Sequence, residues 1–237
     1  MAQVYKDINL NFEYINQFIS KDRADKLYKE CDELVWPETT RRKSITFGDE
    51  GLIYTIRVRD VAIHRKCTGW TESLYRLKQK VEKYVNSRTS TPIVFNFCAI
   101  LRYPNGSVGI RKHQDKEMVL GTSICGVSLG DSRTFQLSPP TYGHSSNIEP
   151  LKIELKHGSM YCMYPPTNSH WSHEILSEEN KSVRYSLTFR NVPSSNLIKE
   201  IPIYPRCSAL LKSGNKKGGP CGAQIKDGKS LMCKRHS

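Results

Sequence analysis

Acidic residues are scarce in this chain, long apolar runs are missing, and nothing in the cysteine spacing suggests a disulfide framework. Only 23 Asp and Glu face 36 Lys and Arg in 237 residues, giving a net charge of +13 and a pI near 9.4. That deficit of acid favours a polyanionic partner such as nucleic acid, although a soluble basic protein without one would carry the same excess. No stretch approaches the roughly 20 consecutive apolar residues of a membrane-crossing helix, so no membrane partner is expected. The opening residues Met1 to Asp7 lack the apolar stretch of a secretory signal. The expected location is intracellular, in nucleus or cytoplasm. Eight cysteines in such a setting read as thiols or metal ligands. Cys31, Cys67, Cys98, Cys125 and Cys162 stand singly among apolar residues and are expected to pack in a core.

The hydrophobic share of 38% is that of a globular fold and argues against a largely disordered chain. The length suits one full-sized domain with a small appendage. Residues 20–34 read as a helix, capped by Ser20 and striped by Leu27, Cys31 and Leu34. A second helix starts at Thr71 and runs to about Val85, with Leu74, Leu77, Val81 and Tyr84 as its buried stripe. From Ile93 the pattern turns to strands: Ile93–Tyr103, Ser123–Gly130, Arg133–Leu137, Leu151–Leu155, Ser159–Tyr164 and Val183–Arg190. Short strands separated by polar turns predict a mainly β fold with flanking helices, a double-stranded β-helix or jelly roll. His64 and His144 are assigned to loops and His157 to a turn.

The chemistry gathers around Arg111-Lys112-His113-Gln114-Asp115-Lys116-Glu117 and His170-Trp171-Ser172-His173. Two histidines and one carboxylate can hold Fe(II) on one face and leave the opposite positions open. His113 and Asp115 are two apart, so on a strand both would project to one face. On spacing alone, either His170 or His173 completes the set. Arg184 and Arg190 are separated by an even number of residues, which places them on one face of a strand. An arginine fork suits a carboxylate. By itself, His-x-Asp is common and carries little weight. Between the helices, Trp36, Arg41, Arg42, Lys43, Phe47, Tyr54, Arg57 and Arg59 interleave bases with aromatics. That mixture suits phosphate contact and base stacking, or simply a solvated amphipathic hairpin.

Gly109 to Glu117, Thr167 to His173 and Arg184-Tyr185-Ser186-Leu187-Thr188-Phe189-Arg190 resemble the three signature blocks of the AlkB family. Arg42 to Asp49 and Gly51 to Thr55 resemble the substrate lid of that family's nuclear DNA-repair branch, and the likeness spans residues 30–192 in separate blocks. The resemblance implies Fe(II) held by His113, Asp115 and His173, with 2-oxoglutarate and O2 as cosubstrates and ascorbate as reductant. It places the cosubstrate on Arg184 and Arg190, with Tyr103, Ser186 and Thr188 at matching positions. It places Arg42, Tyr54 and Glu117 where relatives contact the base, with Trp36 a weaker candidate. A carboxylate at 117 suits cationic 1-methyladenine and 3-methylcytosine. Three positions depart from the family pattern. Leu101 and Ser186 stand where asparagines hold the cosubstrate, and Ile56 stands where relatives carry an aromatic.

The chain is expected to divide into residues 1–205, with a lid over about 34–60, and a basic tail, 206–237. The tail holds eight Lys and Arg against one Asp, so +7 of the net charge sits there. Cys207, Cys221, Cys233 and His236 make a complete tetrahedral Zn(II) set. Such a module resembles short three-Cys, one-His modules of large DNA viruses, which hints at a viral source. The function implied is oxidative demethylation of N-alkylated bases in single- or double-stranded DNA by a monomer. The alternatives are an RNA demethylase, a protein hydroxylase, or a nucleic-acid-binding protein whose oxygenase core has decayed.

Overall fold

The helices begin where their caps stand. In the computed structural model, which describes residues 2–38, 42–58, 61–139 and 148–193, Ser20 Oγ accepts from the Arg23 N–H and starts α1 (Lys21–Asp32). Thr71 Oγ1 accepts from the Leu74 N–H and starts α2 (Glu72–Asn86). Each cap satisfies an N–H that the first helical turn cannot. The chain divides into two units, Met1–Asn196 and Leu197–Ser237. The second unit, with the expected zinc ligands Cys207, Cys221, Cys233 and His236, lies outside the described residues.

The strands form three sheets. An eight-stranded sheet runs β1 (Ala2–Asp7), β2 (Leu10–Ile15), β12 (Met160–Met163), β9 (Ile124–Gly130), β14 (Arg184–Arg190), β7 (Phe97–Tyr103), β3 (Lys43–Gly48), β6 (Thr68–Gly69). A four-stranded sheet runs β11 (Leu151–Leu155), β10 (Arg133–Ser138), β13 (Ser172–Ile175), β8 (Ile110–His113). The hairpin β4 (Ile53–Val58) and β5 (Val61–Lys66) stands as its own two-stranded sheet. A four-residue helix, α3 (Thr167–His170), links β12 to β13.

Alternation along the strands of the large sheet sorts its side chains onto two faces. On the outer face, Cys98, Ile100, Cys125, Val127, Tyr185, Leu187 and Phe189 pack with Leu27 and Cys31 of α1 and Leu77 and Val81 of α2. On the inner face, Phe12, Tyr103, Ile124 and Tyr161 pack against Phe135, Leu137 and Ile175 of the four-stranded sheet. This mainly β, two-sheet arrangement is consistent with the expected jelly roll. All five cysteines expected to pack are buried.

Two local expectations need correction. Residues 93–96 are not strand. The Asn86 side chain brackets Ile93, Glu82 accepts from the Phe95 N–H, and Asn96 bonds Val192 through its carboxamide. Side chains there take the place of a ladder. His64 lies in β5, opposite Thr55, rather than in a loop. The β1–β2 hairpin was not anticipated. It turns at Asn9 with φ of 58°, a left-handed conformation that asparagine tolerates.

Candidate active site

The triad forms where β8 and β13 meet. His113 pairs directly with His173 in the ladder, and their rings lie 4.3 Å apart. Strand β8 ends at His113, so Asp115 sits just past the strand, in the loop, and not on the strand face that the spacing implied. His113 Nε2 lies 3.7 Å from Asp115 Oδ1, and His173 Nε2 lies 3.9 Å from Asp115 Oδ2. These gaps are too long for hydrogen bonds. One ligand atom from each of the three groups falls within 4.8 Å of the others, as a shared metal requires. The spacing ambiguity closes here: His170 is exposed on α3, while His173 is buried and in the cluster.

The protonation states suit a divalent cation. His113 Nδ1 lies 2.8 Å from the Arg111 carbonyl; donating there leaves Nε2 as a lone-pair ligand. Burial pushes His173 down to about 4, so the ring is neutral at neutral pH. Burial alone would raise the Asp115 carboxyl, but the charge of Arg190, with His173 and His113, outweighs it and holds the pKa below the ordinary value. Arg190 Nη2 stands 3.0 Å from Asp115 Oδ2 as an ion pair without hydrogen-bond alignment.

Strand β14 supplies the second half of the site. Arg184, Ser186 and Thr188 are buried on its inner face, and Arg190 continues that face to the triad. Arg184 is fully buried, over the Tyr103 ring at 5.0 Å, and its Nε donates to Ser128 Oγ at 2.8 Å. Its Nη1 and Nη2 make no aligned hydrogen bond, although the Tyr103 side chain interacts with the guanidinium. Burial lowers its pKa, but a guanidinium stays charged. A buried cation with two free donors is costly unless an anion meets it, and a carboxylate matches that fork in a bidentate way. The residues therefore fit 2-oxoglutarate at Arg184 and Fe(II) at the triad. Leu101 and Ser186 are direct cross-strand partners, flanked by Ser44 and Ser128 in the same row. Two of the three departures from the family pattern are thus one local feature, a row without carboxamides beside Arg184.

The expected substrate residues separate. Tyr54 is buried against Phe97, which pairs with Arg190, so it stands at the iron end of the inner face. Arg42 and Arg111 line a cleft of about 770 Å³ with Glu174, beside the strand that carries His113. Its Nε is buried without a partner. Glu117 is half-buried in the loop two residues past Asp115. Trp36 must be corrected: it stacks on Tyr185 at 5.7 Å and donates to the Cys31 carbonyl, on the outer face of the large sheet. Its apolar ring joins the helix layer. Sequence reasoning missed Ser128 and Tyr161. Gly126 opposes Tyr161 across β9 and β12, and a Cβ there would meet the ring at 2.3 Å. The glycine is what admits that ring beside the site.

Two stacked sheets, a histidine–aspartate–histidine face and a buried arginine awaiting a carboxylate together define an iron- and 2-oxoglutarate-dependent dioxygenase. The profile of the 2OG-Fe(II) oxygenase superfamily matches residues 11–190. DNA oxidative demethylase ALKBH2 of Bos taurus is 31% identical over 204 residues, covering 77% of this chain and 69% of the relative. Uncharacterized protein L905 of Acanthamoeba polyphaga mimivirus is 23% identical over 210 residues, covering 84% and 94%. Among solved structures, OsALKBH1 superposes with a TM-score of 0.61 at 14% identity, over 81% of this chain and all of that one. The chain belongs to the AlkB family of this superfamily.

Proposed function

We propose that this protein removes methyl groups oxidatively from N-alkylated bases, 1-methyladenine and 3-methylcytosine, in DNA. The observation that carries this reading is the His113, Asp115 and His173 cluster on the same inner face as the buried Arg184. Iron and 2-oxoglutarate together supply the oxidation of an unactivated C–H bond by O2, with succinate and CO2 as by-products. The protein's own residues do the rest. His113, Asp115 and His173 hold one face of the metal and leave the other open. Arg184 takes the distal carboxylate of the cosubstrate, and Arg190 keeps Asp115 ionised. Tyr103 floors the Arg184 site, and Thr188 lies beside Ser186 in its wall.

The target base must leave its stack to reach a triad two of whose ligands, Asp115 and His173, are buried. In this reading Tyr54 contacts it at the iron end, and Glu117 favours a cationic base over a neutral one. Hydroxylation of N–CH3 gives N–CH2OH, which collapses to N–H and formaldehyde. Ile63, His64, Arg65 and Lys66 of β5, just past the lid, are exposed, and the two basic side chains suit the phosphate backbone. The tail adds nonspecific affinity through a zinc module formed by Cys207, Cys221, Cys233 and His236. In that reading Cys221→Ser releases zinc and weakens nucleic-acid binding; unchanged zinc content and binding would remove the module from the account. RNA is the second reading, since phosphate contact by basic side chains is common to both nucleic acids.

Formaldehyde and succinate release from methylated single-stranded oligonucleotides tests the main reading. Turnover is expected with wild type and none with Asp115→Ala. Turnover that survives in the variant would sink it. Parallel DNA and RNA strands rank the two substrates.

A further inference from the structure

We propose that Asn168 is the positioning residue that holds Asp115 in its metal-binding place, an inference that rests on the iron site described above. Strand β8 stops at His113, so Asp115 receives no support from the ladder. Its backbone is instead bracketed by one carboxamide. The Asp115 N–H donates to Asn168 Oδ1 at 3.0 Å, and Asn168 Nδ2 donates to the Asp115 carbonyl at 2.8 Å. That pair of bonds copies what a neighbouring strand would give. The same Nδ2 reaches Met118 Sδ at 3.5 Å, so the loop that carries Glu117 is held at two points.

The bracket is anchored from behind. Thr167 Oγ1 accepts from the Asn11 N–H at 2.7 Å and donates to the Asn11 carbonyl at 3.0 Å. Trp171, almost fully buried, donates its indole N–H to the Ile8 carbonyl at 3.0 Å. Asn168 stands between these two anchors. It joins the loop of one iron ligand to the segment that leads into β13 and the other, His173. Thr167-Asn168-Ser169-His170-Trp171 is thus a built strut whose free side chain is spent on Asp115. A facial triad needs its three donors fixed relative to one another, and groups that orient ligands are worth about 10–100-fold in metal affinity.

The test uses the full chain and Mn(II) alone, followed by the loss of free Mn(II) signal in electron paramagnetic resonance. Wild type and the control Ser169→Ala are expected to bind equally, since Ser169 is exposed and offers no side-chain bond. Asn168→Ala is expected to bind about 10–100-fold more weakly, at a temperature where circular dichroism shows it folded. Asn168→Asp keeps the acceptor for the Asp115 N–H but sets a carboxylate oxygen against its carbonyl, and is expected to bind Mn(II) more weakly than wild type. It carries the test if the alanine variant does not fold. Equal Mn(II) affinity in the folded Asn168 variants overturns the assignment. A wild type that binds no Mn(II) overturns the iron site itself, and the role of Asn168 with it.

Discussion

The large sheet buries charge on both faces, and the two faces treat it differently. On the outer face, Glu13 is buried, yet its carboxylate accepts from Tyr84 Oη at 2.7 Å, Tyr164 Oη at 3.0 Å and Arg88 Nε at 3.2 Å. On the inner face, Arg184 is buried just as deeply with two donors unmet. Burying a charge costs stability wherever it happens. Where the protein supplies every partner, the group is structural. Where it aligns a partner for only one guanidinium nitrogen of three, the group suits an anion from outside. The contrast separates a packing face from a binding face without any reference to relatives.

That comparison can be broken by exchanging the behaviour of its members. The largest effect is expected from Glu13→Leu, which leaves two tyrosine hydroxyls and an arginine without their acceptor; urea unfolding should show a loss of about 3–5 kcal/mol. Arg184→Met should act the other way on the cosubstrate-free protein, with stability unchanged or raised by about 1 kcal/mol. It should also weaken 2-oxoglutarate by about 3 kcal/mol, roughly a hundredfold, in calorimetry on the metal-loaded protein. A large stability loss from Arg184→Met would show that its donors are met within the protein after all.

Ser186→Asn sharpens the picture at smaller scale. Restoring a carboxamide beside Arg184 should tighten 2-oxoglutarate by about 0.5–1.5 kcal/mol, roughly two- to twelvefold. No change would mean that the row from Ser44 to Ser128 does not touch the cosubstrate. The smallest effect concerns acid stability. Asp131 accepts from the Ser182 and Ser132 N–H groups, which lower its pKa. The folded value lies below the unfolded one, so its contribution is present above pH of about 4 and is lost as pH falls through the folded value. Asp131→Asn should flatten the acid limb of stability against pH by about 1 kcal/mol or less.

Helices α1 and α2 were legible in the sequence because their caps and stripes are local. The arginines of β14 were legible because period-two alternation survives burial. Asp115 was misplaced for a physical reason: spacing cannot show that a strand ends at His113 and that a side chain 53 residues away takes over its ladder. Trp36 looked like a base-stacking aromatic because a sequence does not reveal which side of a sheet a ring will cover. Residues 93–96 read as strand from their β-branched and aromatic content, yet carboxamides and a glutamate captured their backbone first. Ser128 and Tyr161 carried no local signal; their roles come from register, through Ser186 opposite Ser128 and Gly126 opposite Tyr161.

The hairpin at the start of the chain matters for anyone handling this protein. Ile8 and Asn11 hold the strut that leads to His173. A variant shortened by its first dozen residues would lose no catalytic group and would still lose its grip on the metal. An affinity handle placed ahead of Ala2 extends an exposed edge strand and should be tolerated. The anchors of that strut thus lie at residues 8–11, far in sequence from the chemistry they support.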